Sequence, residues 1–350
     1  MALHSLTVRG FRNLGDTALE LSPQLTLLVG NNGQGKTNAL EAIHVAMTGA
    51  SFRSASDQDM VGWSRDFAAV TAVLKSPPSG LVTLTHKVTK IPPHKKHQGQ
   101  IFPVVIFSPD DVQLSKGSPK GRRRFLDWLL ASVDPRYLRL YRQYHRALLQ
   151  RNRVIKDARL WPTLPDFTQV LSESGLYLWQ RRREIVTQIV PGAREIFAQL
   201  TGLTLDCALK EGGSPGSIST VQSYQDLLEA RRSDERIRQT TLVGPHRDDL
   251  TLTINHVAAA DYASQGQHRA IALSLKLASY HMLEKETGLM PLVLLDDVLS
   301  ELDPQKRSRL LAFIASSHPQ TIVTDTEARN FENLEPWIYT VDQGLFTRRV

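Results

Sequence analysis

The eight-residue segment Gly30–Thr37 places the strongest constraint on what this chain can fold into. Its letters, Gly-Asn-Asn-Gly-Gln-Gly-Lys-Thr, match G-x-x-x-x-G-K-[ST] at every fixed position. The apolar run Leu25–Val29 before it predicts a short buried strand, and Asn38–Met47 after it predicts a helix. A strand, a loop and a helix in this order form a P-loop, so the segment predicts a phosphate site in an α/β fold. The alternative is a glycine-rich turn that matches by chance, and both flanks disfavour it.

The residue types of this loop predict how it binds a nucleotide. Glycines allow the backbone N–H groups to face phosphate oxygens, and the start of the next helix adds partial positive charge. We expect Lys36 to reach the β- and γ-phosphates and Thr37 to hold Mg²⁺. An arginine at position 12, in Arg9-Gly-Phe-Arg-Asn13, would lie near the nucleotide if a hairpin forms beside the P-loop; the alternative is an exposed surface turn. The predicted nucleotide-binding residues of this part of the chain are Arg12, Gly30, Asn31, Asn32, Gly33, Gln34, Gly35, Lys36, Thr37 and Asn38, with Arg53 as a weaker candidate.

Composition limits the classes of function. Of the 350 residues, 41% are hydrophobic, which allows a large core, and the longest apolar runs are strand-sized, too short to span a membrane. The single cysteine, Cys207, excludes an internal disulfide framework and suits a reducing cytosol, so we expect a cytoplasmic protein without a signal peptide. The net charge of +7 favours an anionic partner, either nucleic acid or an acidic surface.

The middle of the chain is strongly basic. Residues 120–159 contain twelve Lys and Arg side chains but only three acids, and Pro135 after Asp134 predicts a helix start. In that helix Tyr137, Tyr144 and Leu148 share one face with Tyr141, while four arginines lie roughly opposite: Arg139, Arg142, Arg146 and Arg153. We predict that Arg139, Arg142 and Arg146 bind the phosphates of duplex DNA; a solvated helix face is the alternative.

Further helices are predicted around Leu171–Ile189 and Gln225–Arg238, and strands at Phe67–Leu74, Leu81–Val88 and Ile101–Phe107. The segment Ile91–Gly99 is predicted to be a turn-rich loop, in which His94 and His97 are solvated rather than metal ligands.

Two more motifs follow a return of the strand pattern at Thr240–Ile254. Ser264, Gly266 and Gln267 precede the helical run Ala270–Tyr280, where they would form an anion site or a simple helix cap. The apolar run Pro291–Leu295 ends in Asp296 and Asp297, at the strand edge where doubly wound sheets bind ligands. We expect Asp296 to hold Mg²⁺ with Thr37, and Asp297 to orient or deprotonate an attacking water, so that Lys36, Asp296 and Asp297 form the catalytic set. Asp303 fits a helix cap at least as well as a catalytic role.

The order of these motifs resembles the ABC-type ATPase head of the SMC and double-strand-break-repair ATPases. A closer resemblance, to the RecF family of bacterial recombination mediators, extends from near residue 1 to about 326. It rests on Phe11-Arg-Asn, Gly30–Thr37, Phe107-Ser-Pro-Asp, Gly117-Ser-Pro, Arg122–Asp127, Gly244–Asp249, Ser264-Gln-Gly-Gln and Leu295–Asp303. The fold that this implies is an α/β ABC-type head with an inserted, mostly helical arm. We expect the first part of the head at 1–108, the arm at 109–240 and the second part of the head at 241–350.

The resemblance also implies an activity and partners. ATP with Mg²⁺ would join two heads into a homodimer, with Ser264 of one subunit at the γ-phosphate held by the other. Hydrolysis would be weak and DNA-dependent, and it would release the dimer. The dimer would bind duplex DNA at gaps or junctions, work with RecR and RecO, and promote RecA loading in recombinational repair and in the recovery of stalled replication; no membrane partner is expected.

Two positions depart from the ABC pattern. Asp297 stands where transporters and SMC heads carry Glu, which suggests slow turnover, and Thr324-Asp325-Thr326 follows the strand Gln320–Val323 without a histidine. Three alternative functions remain possible from the sequence alone. A transporter ATPase subunit would share the head motifs but lack the basic arm, and a small P-loop kinase would lack the Ser-x-Gly motif. A DNA clamp could bind ATP without useful hydrolysis.

Overall fold

A computed structural model describes residues 2–53, 56–76, 80–213, 218–317, 319–327 and 335–349. His318, which precedes the strand predicted at Gln320–Val323, lies outside the described residues. The strands are β1 Ala2–Arg9, β2 Thr17–Glu20, β3 Leu25–Val29, β4 Phe67–Ser76, β5 Gly80–Thr89, β6 His94–Gln98, β7 Val104–Phe107, β8 Leu205–Lys210, β9 Asp249–Ile254, β10 Val257–Ala258, β11 Leu292–Asp296, β12 Thr321–Asp325, β13 Trp337–Asp342 and β14 Leu345–Arg348. The α-helices are α1 Lys36–Thr48, α2 Gln113–Lys116, α3 Pro119–Val133, α4 Pro135–Lys156, α5 Leu164–Thr201, α6 Val221–Ala230, α7 Arg232–Arg238, α8 Ala259–Tyr262, α9 Gln265–Thr287, α10 Val298–Glu301 and α11 Pro304–Ser317.

The contacts divide the chain into two units. One comprises Met1–Asp111 with Leu283–Val350, and the other comprises Val112–Met282. The second unit therefore includes 241–282, which the sequence assigns to the second part of the head. The division into a first head part at 1–108, an arm at 109–240 and a second head part at 241–350 remains a prediction.

The first unit contains a parallel sheet that carries the P-loop. Its strand order is β14-β13-β3-β12-β11-β7, and every pairing is parallel except that of β14 with β13. The strand β12 lies between β3, which leads into the P-loop, and β11, which ends at Asp296. Because the carboxyl ends of parallel strands meet at one edge, the sheet brings these two motifs together. The α/β fold class predicted from the sequence is confirmed.

A second, antiparallel sheet of the first unit has the order β2-β1-β4-β5-β6. The helix α1 joins both sheets in one core, and all nine of its residues from Ala39 to Met47 are at most 3% exposed. Because no face of this segment meets solvent, apolar side chains occupy every side of the helix. Within that apolar run only Glu41 and His44 are polar.

Three predictions of local structure were wrong in this architecture. The segment Ile91–Gly99 is not all loop, because His94–Gln98 forms the edge strand β6 paired with β5. Its side chains are polar, as is common at sheet edges, so no apolar alternation marks it. Of the strand pattern Thr240–Ile254 only β9 is a strand, since Gly244 at φ +144° and Pro245 introduce a 3₁₀ turn. The predicted single helix Gln225–Arg238 is two helices, which meet at Arg231.

The second unit packs long helices against a small sheet of order β10-β9-β8. The helix α4 starts as predicted, with the Asp134 side chain accepting hydrogen bonds from the N–H groups of Arg136 and Tyr137. Its aromatic face is buried at Tyr137 and Tyr144. The neighbouring α5 requires Gly175, because a Cβ there would lie 2.9 Å from the rings of Tyr144 and Tyr224.

Candidate functional site

The P-loop continues from β3 into α1 as a tight turn. Gly33 and Gly35 have φ values of +81° and +111°, which favour glycine, and a Cβ at Gly30 would lie 2.3 Å from the Val341 carbonyl oxygen. Asn31, Asn32 and Gly33 are exposed, so an anion can reach the loop from solvent. The Gln34 side chain accepts a hydrogen bond from the Gln343 N–H at 2.6 Å. These contacts fix the loop at the edge of the parallel sheet.

Lys36 is held against the loop that it follows. Its ammonium group donates to the carbonyl oxygens of Gly30 at 2.5 Å and Asn31 at 2.9 Å. Burial lowers the pKa of Lys36, while the carboxylates of Asp297, Asp296 and Asp325 act to raise it. These carboxylates are thus close enough to interact with the lysine charge.

The edge of the sheet brings the two predicted magnesium ligands together. The Thr37 hydroxyl donates to Asp296 Oδ1 at 2.7 Å, and the Thr324 hydroxyl donates to the same oxygen at 3.0 Å. Strand register explains the second contact, because Asp296 on β11 pairs directly with Thr324 on β12. Burial raises the pKa of Asp296, and the hydrogen bonds from the two threonines act against this rise.

Thr37 and Asp296 supply two oxygen atoms of the kind that Mg²⁺ prefers as ligands. The two oxygens lie 2.7 Å apart, close enough to face one cation together. Thr37 and Asp296 would therefore hold the ion, which would offset the charge of bound phosphates.

Asp297 follows Asp296, the predicted magnesium ligand, in a constrained backbone conformation. Its φ is +51°, a left-handed value that is uncommon for a residue other than glycine. Its N–H donates to the Thr324 hydroxyl at 3.0 Å. Thr324 therefore contacts both aspartates, by donating to Asp296 and accepting from Asp297. The sequence indicated only that no histidine stands at this strand end.

Arg12 and Asn38 lie beside the P-loop helix in a connected network. Arg12 donates from Nε at 3.0 Å and from Nη2 at 2.8 Å to the carboxylate of Glu41. Asn38 donates to the Asn13 side chain at 2.6 Å, and Asn13 donates to the Gly33 carbonyl at 3.2 Å. Sequence reasoning missed Glu41, although a carboxylate inside an apolar helix signals a buried partner.

Comparisons with known proteins show the family to which this chain is related. The RecF/RecN/SMC N-terminal domain family matches residues 2–344. The DNA replication and repair protein RecF of Symbiobacterium thermophilum is 38% identical over 370 residues, with 100% of this chain and 97% of that protein covered. The RecF of Halalkalibacterium halodurans is 34% identical, with both chains covered fully.

The chain belongs to the RecF family.

Solved structures show the same relationship. A structure described as the recombination mediator protein RecF-ATP in the RecFOR pathway has a TM-score of 0.89 and 26% identity, and covers 100% of this chain and 98% of that one. The Smc head domain of Pyrococcus furiosus, at 17% identity and a TM-score of 0.55, covers 99% and 96% and shares the fold. The predicted resemblance to the RecF family and the ABC-type head fold are thus confirmed.

Several motifs that carry the RecF resemblance form the interior of the second unit. Asp248 is fully buried and binds Arg182 at 2.7 Å, the Trp179 indole at 2.8 Å and the Gly212 N–H at 2.7 Å. Asp249 forms a two-point ion pair with Arg122 at 2.6 and 3.0 Å. These residues hold helices and strands of the unit together, so the motif Gly244–Asp249 has a structural explanation.

The Ser264 segment begins the helix α9 in the second unit. The Ser264 N–H donates to Gln267 Oε1 at 2.7 Å, and the Gln267 N–H donates to Ser264 Oγ at 3.2 Å. This reciprocal pair is a capping box, which was the simpler of the two alternatives. Ser264 is exposed, while Gly266 and Gln267 are half-buried. Its predicted contact with the nucleotide of a second subunit stays a prediction.

The three predicted DNA-binding arginines share a groove on α4. Arg139, Arg142 and Arg146 are exposed, and none of them forms a hydrogen bond or ion pair with a residue that the structure describes. The groove has a volume of about 620 Å³ and its lining has no acid: Pro135, Leu138, Arg139, Arg142, Gln143, Arg146, Ala147, Gln150, Phe167 and Val170. Some other basic residues of this stretch are structural; Arg151, for example, is buried against Glu235 at 2.7 Å.

No group of three or more metal-binding side chains occurs among the residues that the structure describes. His97, in the segment expected to be a solvated loop, lies instead beside His86, with ring centroids 5.6 Å apart. In the same described part of the chain, no helix is long and apolar enough to cross a membrane.

Proposed function

We propose that the chain is an ATP-binding and slowly ATP-hydrolysing protein of recombinational DNA repair. The observation that carries this proposal is the 2.7 Å hydrogen bond between Thr37 and Asp296, which joins the P-loop to the strand-end carboxylate. The backbone of Gly30–Lys36 would bind the phosphates, with Lys36 neutralising their charge. Thr37 and Asp296 would hold Mg²⁺. The RecF-ATP structure, at 26% identity over the whole chain, supports ATP as the nucleotide.

Asp297 is the residue that we assign to hydrolysis. It follows Asp296 directly and contributes to the electrostatics of Lys36, so it lies near the phosphate site. From there its carboxylate would orient or deprotonate the attacking water. A glutamate would reach further, which is why we expect slow turnover.

We further propose that ATP joins two copies of the chain. Ser264 is exposed at the start of a 23-residue helix, and a helix N-terminus favours an anion. The γ-phosphate held by one subunit would complete this site on the other. Hydrolysis removes that phosphate, so it would release the dimer.

The proposed partner of the basic groove is duplex DNA at gaps or at single-strand/double-strand junctions. Three guanidinium groups that have no partner among the described residues lie in one groove whose lining has no acid, and such a groove favours a phosphate backbone. The relatives are named DNA replication and repair proteins, which supports the same partner. With RecR and RecO, the ATP dimer would promote RecA loading in the cytoplasm and so help stalled replication to recover.

The test of this function measures turnover and assembly together. We expect weak steady-state ATP hydrolysis that duplex DNA stimulates, and sedimentation of the chain as a dimer only with ATP. A gapped duplex should shift the sedimenting species further than an intact duplex of equal length. If the chain binds ATP but forms no ATP-dependent dimer, the proposal that ATP joins two copies is wrong. Absence of ATP binding would contradict the proposal as a whole.

A further inference from the structure

The carboxylate of Glu41 is the most deeply buried charge beside the P-loop. Glu41 is 0% exposed and lies on α1, one turn beyond Thr37. A buried carboxylate is costly unless charged partners and hydrogen bonds compensate it. Glu41 has both: two hydrogen bonds from Arg12, one from the Ser51 hydroxyl at 2.6 Å and an ion pair with Arg53 at 3.6 Å.

The two arginines use this carboxylate differently. Arg12 directs one edge of its guanidinium group at both carboxylate oxygens, the strongest geometry for such a pair. Its backbone φ of +53° is left-handed, a conformation that persists only where the surroundings fix it. Arg12 is therefore committed to Glu41 through two donors.

Arg53 remains able to bind something else. Its Nη1 donates to Asn38 Oδ1 at 2.6 Å and faces Glu41, while its N–H donates to the Ser51 hydroxyl at 3.0 Å. Its side chain is 43% exposed, and Nε and Nη2 donate to no residue among those that the structure describes. One edge of the guanidinium group is thus anchored to α1, and the other donors are available.

The charges at this point leave a single net positive charge. Arg12 and Arg53 carry two positive charges, and Glu41 carries one negative charge. Without the carboxylate, the two guanidinium groups would repel each other, and the half-exposed Arg53 would move toward solvent. Arg53 donates to Asn38, which directly follows Thr37, and the Thr37 hydroxyl donates to Asp296 at 2.7 Å. Arg53 is thus anchored to the first turn of α1, next to the Thr37–Asp296 pair.

We propose that Glu41 is a positioning residue of the nucleotide site, which holds Arg53 beside α1 so that its free donors bind the terminal phosphate of ATP. This inference rests on the proposed function, because it requires ATP at the P-loop. Glu41 does not touch the nucleotide in this arrangement. It acts through Arg53, and its contribution is greater for ATP than for ADP.

The first test is the substitution Glu41→Gln, which keeps the size of the side chain and removes its charge. Nucleotide affinity is measured by titration with fluorescent ATP and ADP analogues. We expect affinity for ATP to fall about tenfold, which is ~1.4 kcal/mol, and affinity for ADP to fall less than threefold. An equal loss for both nucleotides, or no loss, would overturn the inference.

A double-mutant cycle then separates positioning from a merely structural role. Arg53→Ala should itself weaken ATP binding, and Glu41→Gln should cause no further loss in the Arg53→Ala background. The control for one lost positive charge is Lys75→Ala, at an exposed position of β4, which should leave ATP affinity unchanged. Full additivity of the two substitutions would show that Glu41 does not act through Arg53.

Thermal unfolding of each variant guards against a loss of fold. If Glu41→Gln does not fold, Ser51→Ala replaces it, since the Ser51 hydroxyl contacts both Glu41 and the Arg53 backbone. The same selective loss of ATP affinity is expected, and its absence would overturn the inference. A parent chain that binds no ATP would instead refute the proposed function, so the two failures differ.

Discussion

The hydroxyl of Thr37 donates a 2.7 Å hydrogen bond to the carboxylate of Asp296, across 259 residues of sequence. This contact joins the P-loop to the end of β11. Thr324 donates to the same oxygen from the strand between them. The two proposed magnesium ligands are therefore held together by the protein alone, which lowers the cost of ordering them when the ion binds.

We predict that nucleotide binding depends on the charge of Lys36. The ammonium group lies within the P-loop, where burial lowers its pKa and three nearby aspartates act to keep it charged. Lys36→Met removes that charge and should abolish detectable ATP binding while circular dichroism shows an intact fold. If the variant binds ATP as tightly as the parent, the assignment of the P-loop as the ATP-binding site is wrong.

Asp297→Asn should separate hydrolysis from binding. Its backbone is fixed by the hydrogen bond to Thr324, so the amide should occupy the place of the carboxylate. We expect ATP binding to persist, steady-state turnover to fall at least tenfold, and dimers with ATP to accumulate. Turnover equal to that of the parent would exclude Asp297 from the mechanism.

Ser264 should act on the nucleotide held by a second copy of the chain. Ser264→Arg introduces a bulky side chain at the start of α9, so ATP should bind but not cause dimerisation in sedimentation experiments. A mixture with Lys36→Met offers one composite site that carries both defects and one that carries neither. Some ATP-dependent heterodimer should therefore form. If none forms from two well-folded variants, the arrangement across two subunits is wrong.

Acid should destabilise the first unit through His86. The ring is 2% exposed, and burial, together with the neighbouring His97 and Lys95, lowers the pKa of His86 to about 4, although Asp57 acts to raise it. The ordinary pKa is 6.5, so the unfolded chain binds the proton more readily between pH 6.5 and 4. Stability is thus complete above pH 6.5 and falls by up to about 3 kcal/mol as the pH drops to 4.

The substitution His86→Leu isolates this contribution. Burial also lowers the pKa of His246 to about 4, so the parent loses stability in acid for more than one reason. Denaturant unfolding at pH 7 and pH 4.5 should show a smaller acid loss in His86→Leu than in the parent. His94→Leu, at an exposed position of β6, should behave like the parent. If the parent, His86→Leu and His94→Leu lose the same free energy of unfolding between pH 7 and pH 4.5, His86 is not a source of the acid sensitivity.

The sequence predicted the elements of the nucleotide site well because each motif fixes its own local structure. The predicted strand Leu25–Val29 matches β3, and the segment ending at Asp296 forms β11. The role of Thr324 could not be predicted, since it follows from the register of β12 against β11. The partners of Glu41 could not be predicted either, because Arg12, Ser51 and Arg53 come from segments that only the folded structure brings to it.

The basic stretch shows where composition misleads. Twelve cationic side chains suggest one broad positive face, yet Arg122, Arg123 and Arg151 are bound to partners within the second unit. The helical periodicity of α4 distinguished buried from exposed positions, which the number of cationic side chains alone could not do. It correctly predicted that Tyr137 and Tyr144 are buried and that Arg139 is exposed.

The groove on α4 should bind the duplex backbone without reading sequence. Arg139, Arg142 and Arg146 have no acidic neighbour in the groove lining, so their charges are available to phosphates. Each phosphate contact releases condensed counterions, and affinity should therefore fall steeply with salt. Changing the three arginines together to Glu should weaken binding to all duplexes about equally. ATP affinity should not change, because the P-loop belongs to the first unit.

Fluorescence anisotropy across a salt series provides the measurement. If all three side chains contact phosphate, the slope of log affinity against log salt should decrease in magnitude by roughly 3, at about 0.9 per contact. The matched control is a triple change to Glu of Arg159, Arg194 and Arg231, which lie in the second unit but outside the groove and pair with Asp157, Asp206 and Asp234. This control changes the net charge equally, so it corrects for long-range repulsion of DNA. An identical slope in the groove variant and the parent would place the DNA contacts outside this groove.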